Sequence, residues 1–396
     1  MSQGMADMDF DAVIAPMRRA EFFAGHWNKS FARIAGTPGR FAGLLTWDEL
    51  DAVLEQHRLA PPRLKLFLGG HAVPPERYLT PAKFGVPRLD AGGLAACVAQ
   101  GATLILDDVQ EVAPRVQALL HTFQDALHSD AFANLYASWH DQNAFDLHWD
   151  PQAAIILQLA GRKRWQVHAP TRRHPLESDP EPPPRPTAAP VWEGMLEDGD
   201  TLYIPRGWWH VAFPVNEPSL HLTVSLTPPN GVDFLGWALS RLRAQEAVRA
   251  NLPMHDGAAL AAHVKALRGL MDGLLTEQAA NEFLREWEAN IRPSPHIRLS
   301  HAPYQQLAAP GPDSRIRLAG LHRLFLTARD GNFEFKAAGK LWTVPPGLVP
   351  ALELLSNTRA FTLAELTAKV SGAAAADLAK SIGVLARAGV VLVENS

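Results

Sequence analysis

The sequence predicts an α+β protein: a β-sandwich or small barrel, then a helical stretch, then a small unit of mixed helices and strands. Three observations carry this. First, residues 131–228 contain a succession of short apolar or alternating runs (ANLYASW, DLHWD, AAIILQLAG, KRWQVHA, TLYIP, HVAFPV and LHLTVSL) separated by turn residues, the signature of a sandwich or barrel. Second, from 231 to 292 the apolar period lengthens to that of a helix, in DFLGWALSRLRAQEAVRAN and GAALAAHVKALRGLMDGLLTEQAANEFLREWEAN. Third, beyond 312 the strand-like RLFLTAR and FEFKAAGKLWTV precede three helix-like segments, GLVPALELLSN, TLAELTAKV and AADLAKSIGVLARAG, and a short strand VVLVE, a winged-helix-like order. The expected domains are 1–230, 231–312 and 313–396.

Taken in order, FDAVIAPMRRAEFFAGHW has helical spacing, and TWDELDAVLEQHR opens with Thr46 three residues before Glu49, a capping box. A strand (RLKLFLGG), a helix around GLAACVAQ, a strand (TLILDD) and a helix (VAPRVQALLHTFQDAL) lead into the β region. Within that region, residues 171–190 hold seven prolines, so they form neither a central strand nor a helix. They are expected to be a long exposed loop, either a disordered insertion or a lid touching substrate. RPSPHIRLSHAPYQQLAAPGP reads as a linker or extended segment.

Composition removes several function classes. A net charge of −4 argues against a general nucleic-acid binder, which needs a basic excess. The single cysteine, Cys97, leaves no intramolecular disulfide and no Cys-rich zinc site. The N-terminus MSQGMADMDFDAV lacks an apolar signal region, and no run of eighteen apolar residues exists, so a cytoplasmic protein without a membrane span is expected.

The chemistry gathers in two sequence blocks. His148-Trp149-Asp150 lies in FDLHWDPQAAIILQLAGRKRWQVHAP, and His210 ends GDTLYIPRGWWH. Residues i and i+2 of a strand share a face, so His148 and Asp150 can hold one metal between them, and a distant strand can deliver His210. Two imidazoles and a carboxylate are the ligand set of a non-haem Fe(II) oxygenase; a zinc hydrolase matches less well. Asn134, Tyr136 and Ser138 lie at i, i+2 and i+4 in NLYASW, on one face of a strand, and Lys163 lies in GRKRW. A lysine with hydroxyl groups binds a carboxylate through charge-assisted hydrogen bonds, which is what the C5 carboxylate of 2-oxoglutarate needs. Any of these four also reads as a surface residue. Thr223 and Ser225 read equally as cavity lining or as plain barrel wall.

Residues 130–228 resemble the JmjC-type cupin family, in particular the ribosomal-protein oxygenases and their bacterial relatives. The motifs are Asn134-Leu135-Tyr136-Ala137-Ser138, His148-Trp149-Asp150, Gln158 through Trp165, and Gly199 through His210. AEFFAGHWNKSFARIAG and GATLILDDV extend the likeness upstream, and the helical and winged-helix patterns extend it downstream. The resemblance implies a double-stranded β-helix (cupin or jelly-roll) core, a helical dimerisation bundle and a winged helix. It implies hydroxylation of a protein side chain with Fe(II), O2 and 2-oxoglutarate, releasing succinate and CO2. His148, Asp150 and His210 carry over as catalytic iron ligands, and Lys163 as the C5-carboxylate partner, with Tyr136 or Asn134 assisting and Ser138 at the family's Thr/Ser position. The partners implied are a protein or peptide substrate and a second copy of the chain.

The chain departs from the pattern near the expected entrance. Trp139 replaces the family's proline, HDQNAFDL is polar and bulky rather than Gly-rich, and Trp208 and Trp209 crowd the approach to His210. A ribosomal protein, a natural-product precursor peptide, a small metabolite and an N-methyl-lysine therefore all stand as substrate readings. Residues 311–396 carry ten Lys/Arg against seven Asp/Glu, with only Lys380 and Arg387 as cations in AAADLAKSIGVLARAG. That favours protein interaction over DNA binding for the last domain.

Overall fold

The computed structural model describes residues 8–81, 85–291, 310–319, 324, 326–337, 340–356, 360–370 and 373–394. The expected linker therefore lies, from 292 to 309, outside the described residues, as do residues 1–7 of the N-terminal segment and parts of the strand-like 323–329. The chain divides into two units, Met1–Thr227 and Pro228–Ser396.

In the first unit the apolar stretch at Phe10 forms two short helices, α1 (Phe10–Ile14) and α2 (Arg19–Gly25). Pro16 lacks the N–H that would continue α1. A short strand β1 (Ala32–Ile34) leads to α3 (Trp47–Gln56), where the Thr46–Glu49 capping box forms in both directions. Then come β2 (Leu64–Leu68), β3 (His71–Ala72), a ribbon of β4 (Leu79–Thr80) and β5 (Arg88–Leu89), α4 (Ala91–Ala99), β6 (Thr103–Leu106) and α5 (Pro114–Leu127). The β region follows: β7 (Asp130–Ser138), β8 (His148–Trp149), β9 (Ala153–Ala160), β10 (Lys163–His168), β11 (Trp192–Leu196), β12 (Thr201–Ile204), β13 (Trp209–Pro214) and β14 (Ser219–Thr227).

Two antiparallel sheets result. The larger runs β1-β12-β9-β14-β7-β6-β2-β3 and the smaller β11-β10-β13-β8. Alternation divides the larger sheet's side chains between two cores. Ala133, Leu135, Ala137, Ile155, Leu157, Leu222 and Val224 pack with the N-terminal helices, where Phe10, Phe22 and Phe123 are fully buried. On the other face, Ala154, Ile156, Leu202 and Ile204 meet Trp165, Val167 and Leu196 of the smaller sheet, so the two sheets face each other. Strand β11 is not evident from the sequence. Its WEGML run alternates weakly, and Gly194 interrupts it because a Cβ there would stand 2.7 Å from the Trp192 ring.

The Gly199-Asp200 pair of the sequence motif is explained by a close crossing. A Cβ on Gly36 would lie 1.8 Å from the Gly199 carbonyl oxygen. Asp200, 3% exposed, accepts from Gly36 N at 2.8 Å, Arg33 Nη2 at 2.6 Å and Glu197 N at 3.1 Å, binding β1 to the turn that enters β12.

The second unit begins with α6 (Gly231–Leu242), α7 (Glu246–Arg249), α8 (Gly257–Leu274) and α9 (Glu277–Asn290). Phe234 and Trp237 of α6 pack on Phe283 of α9 at 5.5 and 6.0 Å, and Trp237 donates to Glu286 at 3.0 Å. The rest comprises β15 (Arg315–Leu318), β16 (Thr327–Arg329), β17 (Asn332–Ala337), β18 (Lys340–Val344), α10 (Val349–Leu355), β19 (Phe361–Thr362), α11 (Leu363–Lys369), α12 (Ala373–Arg387) and β20 (Val391–Glu394). Strands β19-β15-β20 form one sheet and β16-β17-β18 another, with Ile316, Leu352, Leu366, Ile382 and Val391 in a common core. Among the described residues no helix is long and apolar enough to cross a membrane.

Candidate active site

His210 is the second residue of β13 and pairs directly with His148 of β8, as Trp209 pairs with Trp149. Cross-strand partners project to the same face, so the two imidazoles meet with centroids 4.4 Å apart. Asp150 follows two residues after His148 and brings Oδ2 to 3.5 Å from His210 Nε2. One ligand atom from each of the three falls within 4.8 Å of the others. The turn carrying His210 is fixed by Gly207 N donating to Asp150 O at 3.0 Å. Gly207 has φ +79°, and a Cβ there would stand 2.3 Å from Pro175 Cδ, so the turn tolerates glycine alone.

The proton positions of both histidines follow from their partners. His148 Nδ1 lies 2.8 Å from Asp146 O and His210 Nδ1 3.2 Å from Trp208 O. A carbonyl only accepts, so each Nδ1 carries the ring proton and each Nε2 keeps its lone pair. Burial, and then the neighbouring His148, hold the His210 imidazole down at about 4, which leaves it neutral at ordinary pH. Two oriented imidazoles and a carboxylate suit a divalent metal with open positions.

These three residues line a cavity of about 290 Å³ together with Tyr136 and Lys163. Lys163 is 3% exposed, and among the described residues no carboxylate pairs with it. Burial alone pulls its ammonium down to about 7. Such a cation, walled by Trp165, Ile156 and Thr223, fits an anionic ligand that restores its charge. Burial, reinforced by Asp150 and Asp107, holds the Tyr136 phenol well above its ordinary value, so it stays protonated as a donor.

Not every expected residue reaches this cavity. Asn134 Oδ1 instead accepts from Asp108 N at 3.2 Å, and its side chain also bonds Tyr136. Ser138 sits at the end of β7 opposite Ser219, fully buried and outside the cavity lining. Thr223 lines the cavity and Ser225 does not. Trp208 and Trp209 are not among the residues lining the cavity: Trp208 packs on Phe31 at 5.8 Å, and Trp209 donates to Thr171 Oγ1 at 3.0 Å. The Pro-rich segment carries neither helix nor strand. It is held by Arg172, which donates to Asp179 and to Glu181 O, and by Pro175 against the Gly207 turn.

Thr103, Phe145 and His221 line the cavity without being singled out by the sequence. Thr103 arrives from β6, far upstream. Phe145 lies in HDQNAFDL and packs edge-on to His148 at 5.7 Å and against Phe67 at 4.8 Å. His221 lies on β14, stacked on Tyr136; its one signal is its position two residues before Thr223 on an alternating strand.

Residues 110–234 match the JmjC domain. Human ribosomal oxygenase 1 is 30% identical over 260 residues, 63% of this chain and 39% of that protein. The bifunctional lysine-specific demethylase and histidyl-hydroxylase NO66 of Drosophila pseudoobscura pseudoobscura is 28% identical over 259 residues, 62% of this chain and 26% of that protein. The chain thus spans about a quarter to two-fifths of these relatives. The structure of YcfD, a ribosomal oxygenase from Escherichia coli, superposes with TM-score 0.59 at 18% identity, covering 96% of this chain and 99% of that one. That likeness speaks for the fold across both units, including the JmjC core.

Proposed function

We propose that this chain, a JmjC-domain protein related to the ribosomal oxygenases, is an Fe(II)- and 2-oxoglutarate-dependent oxygenase that hydroxylates a side chain of a protein. The observation that carries the reading is one cavity lined both by a His-His-Asp cluster and by a buried, carboxylate-free lysine. When bound, Fe(II) with 2-oxoglutarate supplies the oxidising chemistry, by which R–H, O2 and 2-oxoglutarate become R–OH, succinate and CO2. His148, Asp150 and His210 would hold the metal through Nε2, a carboxylate oxygen and Nε2. Lys163 would hold the C5 carboxylate, with the Tyr136 hydroxyl assisting. Ile156, Trp165 and Phe145 exclude water from the space between. The YcfD structures include complexes with cobalt and succinic acid and with cobalt and 2-oxoglutarate, which supports a metal held beside the co-substrate or its product.

The names of the relatives support a ribosomal protein as the substrate class, with histidyl hydroxylation as the reaction on it. Incubation with Fe(II), 2-oxoglutarate and purified ribosomal proteins is expected to add one oxygen atom to one of them, read by peptide mass spectrometry, with one succinate per modification. Loss of a methyl group from N-methyl-lysine, or oxygenation confined to a precursor peptide, would replace this substrate by the corresponding alternative.

A homodimer through the second unit is part of the same reading. Helix α8 buries no side chain, and Val232, Leu235 and Leu239 align on one face of α6 at 57%, 47% and 51% exposure. Apolar faces of this kind are covered by a partner in soluble proteins. Light scattering is expected to give twice the mass of one chain, and L235E/L239E to reduce it to that of one chain. The winged-helix-like end would serve as a protein-interaction module.

A further inference from the structure

His221 is buried at 3% exposure and lines the same cavity, yet it holds neither the metal nor the co-substrate in the proposed function. Its placement is unusual in three respects. It sits where the pairing of β14 with β9 shifts register: Leu220 faces Ala160 and His221 faces Gln158, so Leu159 is skipped. The extra residue, Leu159, belongs to β9, and the bulge bends that strand locally opposite His221. The Gln158 amide secures it by donating to Ala160 O at 2.9 Å and to Ser219 Oγ at 3.0 Å. Next, the imidazole lies flat on the Tyr136 ring, centroids 4.8 Å apart and planes within 5°, while Trp165 closes its edge at 5.6 Å. The plane of the ring is therefore fixed. With the ring so held, its Nδ1 stands 3.3 Å from Lys163 Nζ.

We propose that His221 is the positioning residue of the carboxylate pocket: its Nδ1 accepts a hydrogen bond from Lys163, aims the ammonium into the cavity, and makes co-substrate binding a proton-coupled event. This rests on the reading of the cavity as a 2-oxoglutarate site. Lysine has only donors, so in this contact with charged Lys163 the imidazole is the acceptor, and its own proton resides on Nε2. Two buried nitrogens this close hold a single positive charge between them. Burial and Lys163 together push the His221 imidazole far below its usual range, so that charge belongs to Lys163.

The surroundings explain why the charge depends on ligand. Leu196 and Pro214 flank Lys163 in its sheet. The titratable groups lining the cavity are His221 and Tyr136 from the larger sheet, and His148, Asp150 and His210 from the metal site; Asp107 acts on Tyr136 from behind. None is a carboxylate against Lys163. Without ligand, burial lowers the lysine to about 7, and the proton departs above that pH. A bound carboxylate brings the proton back. Binding of 2-oxoglutarate then takes up one proton per site at alkaline pH and none in mild acid, and its Kd rises about tenfold per pH unit once Lys163 is neutral.

The full chain, loaded with Mn(II) to prevent turnover, is titrated with 2-oxoglutarate by calorimetry from pH 6 to 9 in buffers of different ionisation heat. The native protein is expected to show proton uptake rising towards one. His221→Phe keeps a flat ring against Tyr136 but removes the acceptor; it is expected to weaken binding about tenfold and to move the onset of proton uptake to lower pH. His221→Asn restores an acceptor near the Nδ1 position and is expected to return the onset towards that of the native protein. A purely structural histidine would give two variants weakened alike with the onset unmoved, and that result overturns the inference. So does a His221→Phe variant indistinguishable from native. Failure of the native protein to bind 2-oxoglutarate at any pH would instead overturn the co-substrate reading, and this inference with it.

Discussion

Asp150→Ala is expected to give a folded protein that neither retains Fe(II) nor consumes 2-oxoglutarate. The carboxylate side chain is 38% exposed, so its loss opens no void in the core and the melting temperature should move little. The site, in contrast, loses its carboxylate and keeps the two imidazoles. Removing a hydrogen-bond partner of a metal ligand costs roughly 10- to 100-fold in affinity, and removing a ligand itself should cost more. His148→Ala should behave alike. Its ring also packs against His210 and Phe145, so some loss of local order accompanies it. Metal content after gel filtration and succinate release are the two measurements. Metal retention with undiminished turnover in Asp150→Ala would remove the carboxylate from the site.

The second large effect concerns Lys163 and has two parts of opposite sign. Lys163→Met keeps the length of the stem and removes the charge. It is expected to raise the 2-oxoglutarate requirement by roughly 100-fold or more, since breaking a buried ion pair costs about 3–5 kcal/mol. The same variant should stabilise the ligand-free protein. Burial lowers this lysine from 10.5 to about 7, so between those values the unfolded chain holds a proton that the folded one has lost. Native stability therefore rises with pH across that window, and at or below pH 7 the full penalty, on the order of 4 kcal/mol, is present. The variant has no such slope. Urea denaturation at pH 7 and pH 9.5 checks this: Lys163→Met should be clearly more stable at pH 7, and its advantage should shrink by about 3 kcal/mol at the higher pH. A variant less stable than native at pH 7 would mean that the cation is compensated in the ligand-free state.

What the sequence makes legible follows from period and reach. Strands β7, β9, β10, β13 and β14 carry regular alternation or solid apolar runs, and Lys163 stands out because alternation separates it from its exposed neighbours Arg162 and Arg164. The cluster of His148, Asp150 and His210 is readable because two of its members lie two residues apart in one extended segment. Two physical effects hide the rest. Side chains of the right type can be consumed by backbone, as Asn134 is by Asp108 N. And what marks His221 is its contact with Lys163 of the facing sheet, which no single-strand period records. Thr103 belongs to the cavity only because β6 pairs with β7, a contact made through sheet order rather than through chain proximity.

The brevity of β8 has a broader consequence. Only His148 and Trp149 join it to β13, and such a two-rung attachment at a sheet edge contributes little cohesion of its own. An ion shared by His148, Asp150 and His210 would act as a third rung and rivet this edge. Loading the metal and finishing the wall of the reaction chamber then become one thermodynamic event: part of the ion's binding energy goes into architecture. Such a protein would gauge its own readiness, because a chamber without its metal would also be a chamber with a loose side.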